Sequence, residues 1–185
     1  MAAVDTIFVD FRDTLEILKR SQEISLLTSL EGNFRKTLLL SAASYFEARL
    51  SKIVEQFARQ NSDIDLLGDL VRNRVISRQY HTWFDWDRSN ANKFYQMFGE
   101  IYVRHMAQVL SANSTLEESV KAFMEIGRDR NRIVHQDYGT IYVEKTAEEI
   151  YSSYKKAVVF VDMVETELTS CATSNRLKRT VAEAS

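Results

Sequence analysis

Proline is absent from this chain, and glycine occurs only five times, at positions 32, 68, 99, 127 and 139. These two residues break helices and build tight hairpin turns, so their scarcity leaves long stretches free to propagate as helix. An all-α protein is the expected class. A single cysteine, Cys171, excludes an intramolecular disulfide and any structural zinc site made from paired thiols; a reducing compartment fits. No run approaches the roughly 20 apolar residues that span a bilayer, and Met1-Ala2-Ala3-Val4-Asp5 lacks a basic region followed by an apolar one. The expectation is a soluble, cytoplasmic protein with no membrane partner. Excess charge of either sign is also missing. A formal net charge of −2 gives no global attraction for nucleic acid, so such binding must rest on a local patch such as Arg128 and Arg132, with Arg72, Arg74 and Arg78.

What is present is apolar periodicity. With 185 residues, 45% of them hydrophobic, the chain suits a single domain over residues 1–171, followed by a polar tail, 172–185, expected to be disordered. Ile7, Phe8, Phe11, Leu15 and Leu18 repeat with helical spacing and predict a first helix over 5–27, interrupted at Glu31-Gly32. From Asn33, a candidate N-cap, to about Gln60, a second helix aligns Leu39, Ala42, Phe46, Leu50, Ile53 and Phe57 on one face, with Glu47 on its flank. Residues 63–112 are less regular and predict an elaborated connection with short helices near 64–76, 90–98 and 100–110. Its aromatic residues Trp83, Phe84 and Trp86 are read as a cover over the bundle rather than a base-stacking platform. Overlapping capping boxes, Ser114 to Glu117 and Thr115 to Glu118, open the next helix, which Gly139 ends. A last helix starts at Thr146, with Glu149 as its capping partner, and carries Ile150, Tyr154, Ala157, Val161 and Leu168. Four main amphipathic helices predict a four-helix bundle, with the additional short helices between the second and third.

The segment Arg128-Asp129-Arg130-Asn131-Arg132-Ile133-Val134-His135 puts a charge where a core residue is expected. Counting about 100° per residue places Leu116, Val120, Phe123, Gly127 and Val134 along one side of a helix, and Arg130 falls inside that stripe. Asn131 and His135, spaced i and i+4, share its flank. A guanidinium cannot be deprotonated and is expensive to bury unpartnered, which marks Arg130 as a functional candidate. Glu47 is a candidate carboxylate to compensate it, set against the commoner role of a surface residue on the flank of its helix. Gly127 allows a close helix approach, either within the chain or to a second copy. His81, His105 and Cys171 lack metal-ligand spacing, so no metal is predicted. Ser152 and Tyr151, each followed by Lys155, lack the companion motifs of Ser-x-x-Lys or Tyr-x-x-x-Lys enzymes and are read as helix-face residues.

Arg130-Asn131-Arg132-Ile133-Val134-His135 resembles the Arg-Asn-x-x-x-His signature of the HEPN superfamily of helical ribonucleases. The helix around Ala42-Ala43-Ser44-Tyr45-Phe46-Glu47-Ala48-Arg49-Leu50 is similar to the one preceding the signature helix in that superfamily, and Ser89–Gly99 resembles the connection in its RiboL-PSP branch. The resemblance implies a homodimer in which two signature segments form a composite, metal-independent and cofactor-free RNA-cleaving site. Arg130 and His135 would be catalytic, with Asn131 supporting them. RNA carries its own nucleophile in the 2′-hydroxyl, so the protein needs a proton carrier, which histidine supplies near neutral pH, and a cation for the phosphorane, which arginine supplies with its bidentate fork. Arg128 and Arg132 lie toward the His135 side and suit either RNA phosphate positioning or a solvated basic face. What the resemblance implies is therefore an endoribonuclease of defence, toxin–antitoxin or stress response, with an RNA substrate and an antitoxin or regulatory protein as a further partner. The competing expectation is a non-catalytic HEPN-like module for RNA or nucleotide binding or for protein association. Tyr138 stands three residues after His135, whereas toxin members paired with nucleotidyltransferase antitoxins often carry a modified Tyr two residues after.

Overall fold

Helix accounts for every regular element among the described residues, 3–183, of the computed structural model. In chain order these are α1 (Ala3–Arg20), α2 (Ile24–Gln60), α3 (Asp65–Val71), α4 (Asn92–Gln96), α5 (Glu100–Ser111), α6 (Ser114–His135) and α7 (Ala147–Glu183). A π-helical turn, Arg72–Ile76, prolongs α3, and a single 3-10 turn spans Tyr80–Thr82. The class is all-α, as expected. None of these helices is long and apolar enough to cross a membrane.

The first boundary differs from the expected one. Helix α1 stops at Arg20 because Gln22 takes a left-handed conformation, φ 57°. There the Glu23 N–H donates to the Leu18 carbonyl and the Gln22 N–H to the Lys19 carbonyl, both at 3.2 Å. This pair of bonds is the Schellman closure, which satisfies the carbonyls a helix end leaves orphaned. Gly32 instead lies inside α2, and Asn33 is not a cap. An interior glycine costs about 1 kcal/mol relative to alanine. Burying one large apolar side chain contributes roughly 1.5–3 kcal/mol, and Phe34, stacked on Phe11, with Leu38 and Leu39 are buried just beyond, so the helix continues.

Helix α7 packs against both α6 and α2, α1 covers α2, and α5 leans on α6 and α7. An aromatic knot ties the centre: Phe46 of α2 lies 5.4 Å from Phe123 of α6 and 5.6 Å from Tyr154 of α7, and Phe123 lies 4.8 Å from Phe160. The cap of α6 is Asn113 rather than either Ser114 or Thr115. Its side chain accepts from the Thr115 and Leu116 N–H groups at 3.1 and 3.3 Å, because asparagine in extended conformation one residue earlier caps as well as serine. Helix α6 ends at His135, not Gly139. Gly139 donates instead to the Asp137 carboxylate at 2.9 Å, in a side-chain turn that competes with helix. The expected capping box at α7 forms: the Thr146 N–H meets Glu149 Oε2 at 2.8 Å, and the Glu149 N–H meets Thr146 Oγ1 at 3.2 Å. Through the polar segment 172–183, α7 runs on to Glu183, and residues 184–185 lie outside those described. Propagating a formed helix fixes one residue per hydrogen bond gained, and no glycine or proline follows Gly139 to stop it.

A Cβ at Gly32 would meet nothing within 4 Å. Gly32→Ala should therefore stabilise the protein by roughly 0.5–1 kcal/mol and raise the melting temperature by about 1–4 °C; a lower melting point would contradict the continuous α2.

Hydrogen bonds from the Thr146 backbone and hydroxyl hold the Glu149 carboxyl below its ordinary 4.5. A carboxyl depressed by folding contributes stability above its unfolded value, lost as the pH falls through the folded one. Glu149→Ala should therefore melt below wild type at pH 7, with the gap closing as the pH drops beneath 4.5. A gap independent of pH would show that the cap acts without its charge.

Candidate functional site

The apolar stripe of α6 holds as far as Gly127: Val120, Phe123 and Gly127 are buried. One turn on, the line through Arg130 has left the core, and Val134, expected on the stripe, is 46% exposed. Ile126 and Ile133 are the residues that stay buried. Being seven apart, they keep one face of the helix on the core while the Arg130 line turns away from it.

That line opens into a cleft of about 240 Å³. Phe46 and Glu47 of α2 form one side, and Phe123, Gly127, Arg130 and Asn131 of α6 another. The connection closes it with Arg78, Tyr80, His81 and Trp86. Trp86 is seated directly on Gly127, where a Cβ would come within 1.9 Å of its Cζ3 and 2.2 Å of its Cε3. The close approach that Gly127 permits is therefore made within the chain. The Trp86 indole N–H donates to the His81 carbonyl at 3.2 Å, and the Trp83 indole N–H to the Val75 carbonyl at 2.9 Å. Trp83 and Phe84 are fully covered, whereas Trp86 is half-buried and presents part of its ring to the cleft.

Arg130 is half-buried, and its Nη1 donates to Asn131 Oδ1 at 3.1 Å. Glu47, the candidate partner, stands in the same cleft but makes no ion pair or hydrogen bond with Arg130. The cleft is open to water, and a solvated guanidinium has no need of a buried counter-charge. Burial pushes the Tyr80 phenol well above its ordinary range; Glu47 adds to the rise and Arg130 opposes it. Tyr80 is thus a neutral donor at the cleft wall.

His135 is the last residue of α6, exposed, and outside the cleft. Five residues along a helix turn the side chain about 140° from Arg130, and Asn131 lies between the two. Arg128 and Arg132 are exposed on the His135 side, and no carboxylate among the described residues pairs with either. The one acid in the run, Asp129, is taken by Lys145, which also reaches Glu125 at 2.8 Å. Burial disfavours the charged Lys145, but Asp129 and Glu125 outweigh it and raise the Lys145 pKa. The end of α6 is left locally positive.

The chain matches the RiboL-PSP-HEPN family over residues 9–170. The protein belongs to this family. No curated protein and no solved structure matches it. Membership of the HEPN superfamily points to ribonuclease-type or RNA-related function. In this RiboL-PSP-HEPN protein the signature residues Arg130 and Asn131 both line the cleft, and His135, one turn beyond Asn131 on the same helix, stands outside it.

Sequence reasoning missed the clamp on the loop after the signature. Lys36, a buried charge on α2, donates to the Tyr138 carbonyl at 2.6 Å and stands 4.8 Å over the Tyr138 ring. Its neighbour Arg35 reaches the Val143 carbonyl at 3.4 Å. A lysine interrupting an otherwise apolar face was the available signal. His81 was also missed as a cleft residue, while Arg78 was legible only as part of a basic patch. His105 pairs with Glu167 at 2.7 Å away from the cleft, and no group of three His, Cys, Asp or Glu among the described residues is arranged to hold a metal ion.

Gly127→Ala should force Trp86 off α6, costing about 1–3 kcal/mol as overpacking does. Trp86→Ala combined with it should cost less than the sum of the two single changes in thermal melts. Strict additivity would mean that the contact does not couple them.

Proposed function

We propose that this RiboL-PSP-HEPN protein is a metal-independent endoribonuclease that cleaves RNA by attack of the 2′-hydroxyl. The observation that supports it is Arg130: a guanidinium at the cleft, held by a neutral amide rather than a carboxylate, on the helix that ends in an exposed histidine. An arginine so placed is free to receive a phosphate. In the reaction the 2′-oxygen bonds to phosphorus while the bond from phosphorus to the 5′-oxygen breaks, giving a 2′,3′-cyclic phosphate and a 5′-hydroxyl. His135 takes the 2′-hydroxyl proton, a second acid returns a proton to the departing 5′-oxygen, and Arg130 neutralises the phosphorane oxygens. Asn131 orients Arg130, and Arg128 and Arg132 position neighbouring phosphates.

A homodimer completes this scheme. Each chain offers one His135 for two proton transfers, and a two-fold axis along the exposed end of α6 brings the second. Defence, toxin–antitoxin or stress-response biology in the cytoplasm, with an antitoxin or regulatory protein as partner, fits an activity of this kind. A second reading, non-catalytic RNA or nucleotide binding, is favoured by the position of His135 outside the cleft.

Wild type in EDTA should cut total RNA and leave 2′,3′-cyclic phosphate ends. His135→Ala and Arg130→Ala should each lose at least about 100-fold in rate with unchanged melting temperature. Equal RNA binding by wild type and both variants, with no cleavage by any of them, would overturn the catalytic assignment in favour of the binding module.

A further inference from the structure

We infer that the cleft beside Arg130 is a base-recognition subsite for an unstacked guanine, read by Glu47 and walled by Trp86. The inference rests on the RNA-directed reading above and adds what that site would select. At about 240 Å³ the cleft falls below the roughly 300–1,000 Å³ of pockets for drug-sized ligands, so it suits one base rather than two. Trp86 and Tyr80 bring aromatic surface to it, the usual platform for a splayed RNA base.

The polar groups settle which base. Glu47 makes no hydrogen bond or ion pair to any described residue, although it stands in a cleft with two arginines. Both oxygens of its carboxylate are therefore available as acceptors. Guanine alone among the four bases presents two adjacent donors, N1–H and the 2-amino group, on its Watson–Crick edge. Adenine and cytosine each offer one amino group beside an acceptor, and the single N–H of uracil is flanked by carbonyls that a carboxylate repels.

Arg78 supplies the matching charge for the nucleotide phosphate. It too makes no ion pair or hydrogen bond among the described residues, and its backbone is held left-handed at φ 59°, a conformation disfavoured for a residue with a Cβ. Strain of this kind collects where a side chain must be aimed. Arg78 leads into the turn Tyr80–Thr82, and this conformation brings its side chain to the cleft.

Guanosine, inosine and cytidine 5′-monophosphates provide the test, read by quenching of tryptophan fluorescence. Inosine monophosphate lacks only the 2-amino group. Wild type should bind the guanosine nucleotide at least about tenfold more tightly than the other two, the ratio expected for one hydrogen bond to a charged group. Glu47→Gln should abolish that preference, because an amide replaces one acceptor with a donor. Arg78→Gly should weaken all three by a common factor while raising the melting temperature, since glycine relieves the left-handed strain. Equal affinities in wild type, or an unchanged preference in Glu47→Gln, would overturn the subsite. An oligoribonucleotide series keeps the two readings apart: cleavage indifferent to guanine removes the subsite and leaves the nuclease, whereas guanine-selective binding without cleavage leaves the subsite and removes the nuclease.

Discussion

The seat of Trp86 on Gly127 is the constraint from which the site follows. Only a residue without a Cβ lets an indole lie this close against α6, and Trp86 anchored there helps hold the long connection after α2 on the signature helix. The anchored ring continues into a chain of aromatic contacts: Trp86 to Phe84 at 4.8 Å, Phe84 to Phe123 at 4.9 Å, and Phe123 to Phe46 across the core. The connection is thereby registered to the same core that fixes α2 and α6. What would have been a solvent-facing flank of α6 becomes one wall of a cleft, with Arg130 in it.

The electrostatics of the helix end follow from which charges are paired. Asp129 is held by Lys145 on the far side, so it cannot neutralise Arg130 or the flanking Arg128 and Arg132. Arg130 rests on a neutral amide instead. Leaving the partner of a buried ion pair unpaired costs about 3–5 kcal/mol, whereas exchanging an ordinary hydrogen bond costs about 1 kcal/mol. A guanidinium held by Asn131 can therefore turn to an arriving phosphate at little expense, which one locked to Glu47 could not do. The separation of Glu47 from Arg130 leaves both groups open to a ligand.

Much of this was legible in the sequence because it rests on periodicity and short-range chemistry. The all-α class, the core face of α2, the Thr146–Glu149 cap and the place of the signature on a helix all depend on residues within a few turns of each other. The errors have a common cause. Gly32 reads as a break, but burial of Phe34 and Leu38 beyond it overrides local propensity, while Gln22, with no turn signal of its own, takes the left-handed position. Cleft residues were harder still. Arg78 and His81 are brought to Arg130 by a π-helical turn, a strained residue and an indole anchor, none of which has a reliable period in sequence. The carboxylate Glu47 was visible on the flank of α2, but its lack of contact with Arg130 is a property of the packed structure alone.

The helix itself fixes how far apart the two outer signature residues stand. Arg130 and His135 are separated by about 7.5 Å of rise and about 140° of turn, so one side chain enters the cleft as the other leaves the molecule. No rotation of α6 brings both into the same cavity, because Ile126 and Ile133 fix its face against the core. Lys36, by holding Tyr138, fixes the course of the chain just beyond His135. Two arrangements meet these restraints: a substrate long enough to pass from the cleft over Asn131 to the exposed end of α6, or a second chain whose own His135 approaches from outside. A polynucleotide satisfies the first and a two-fold axis the second, and the two are compatible. On the proposed reading, in which Arg130 and His135 act on one ligand, this geometry suits an extended polyanion better than a small substrate enclosed in the cleft.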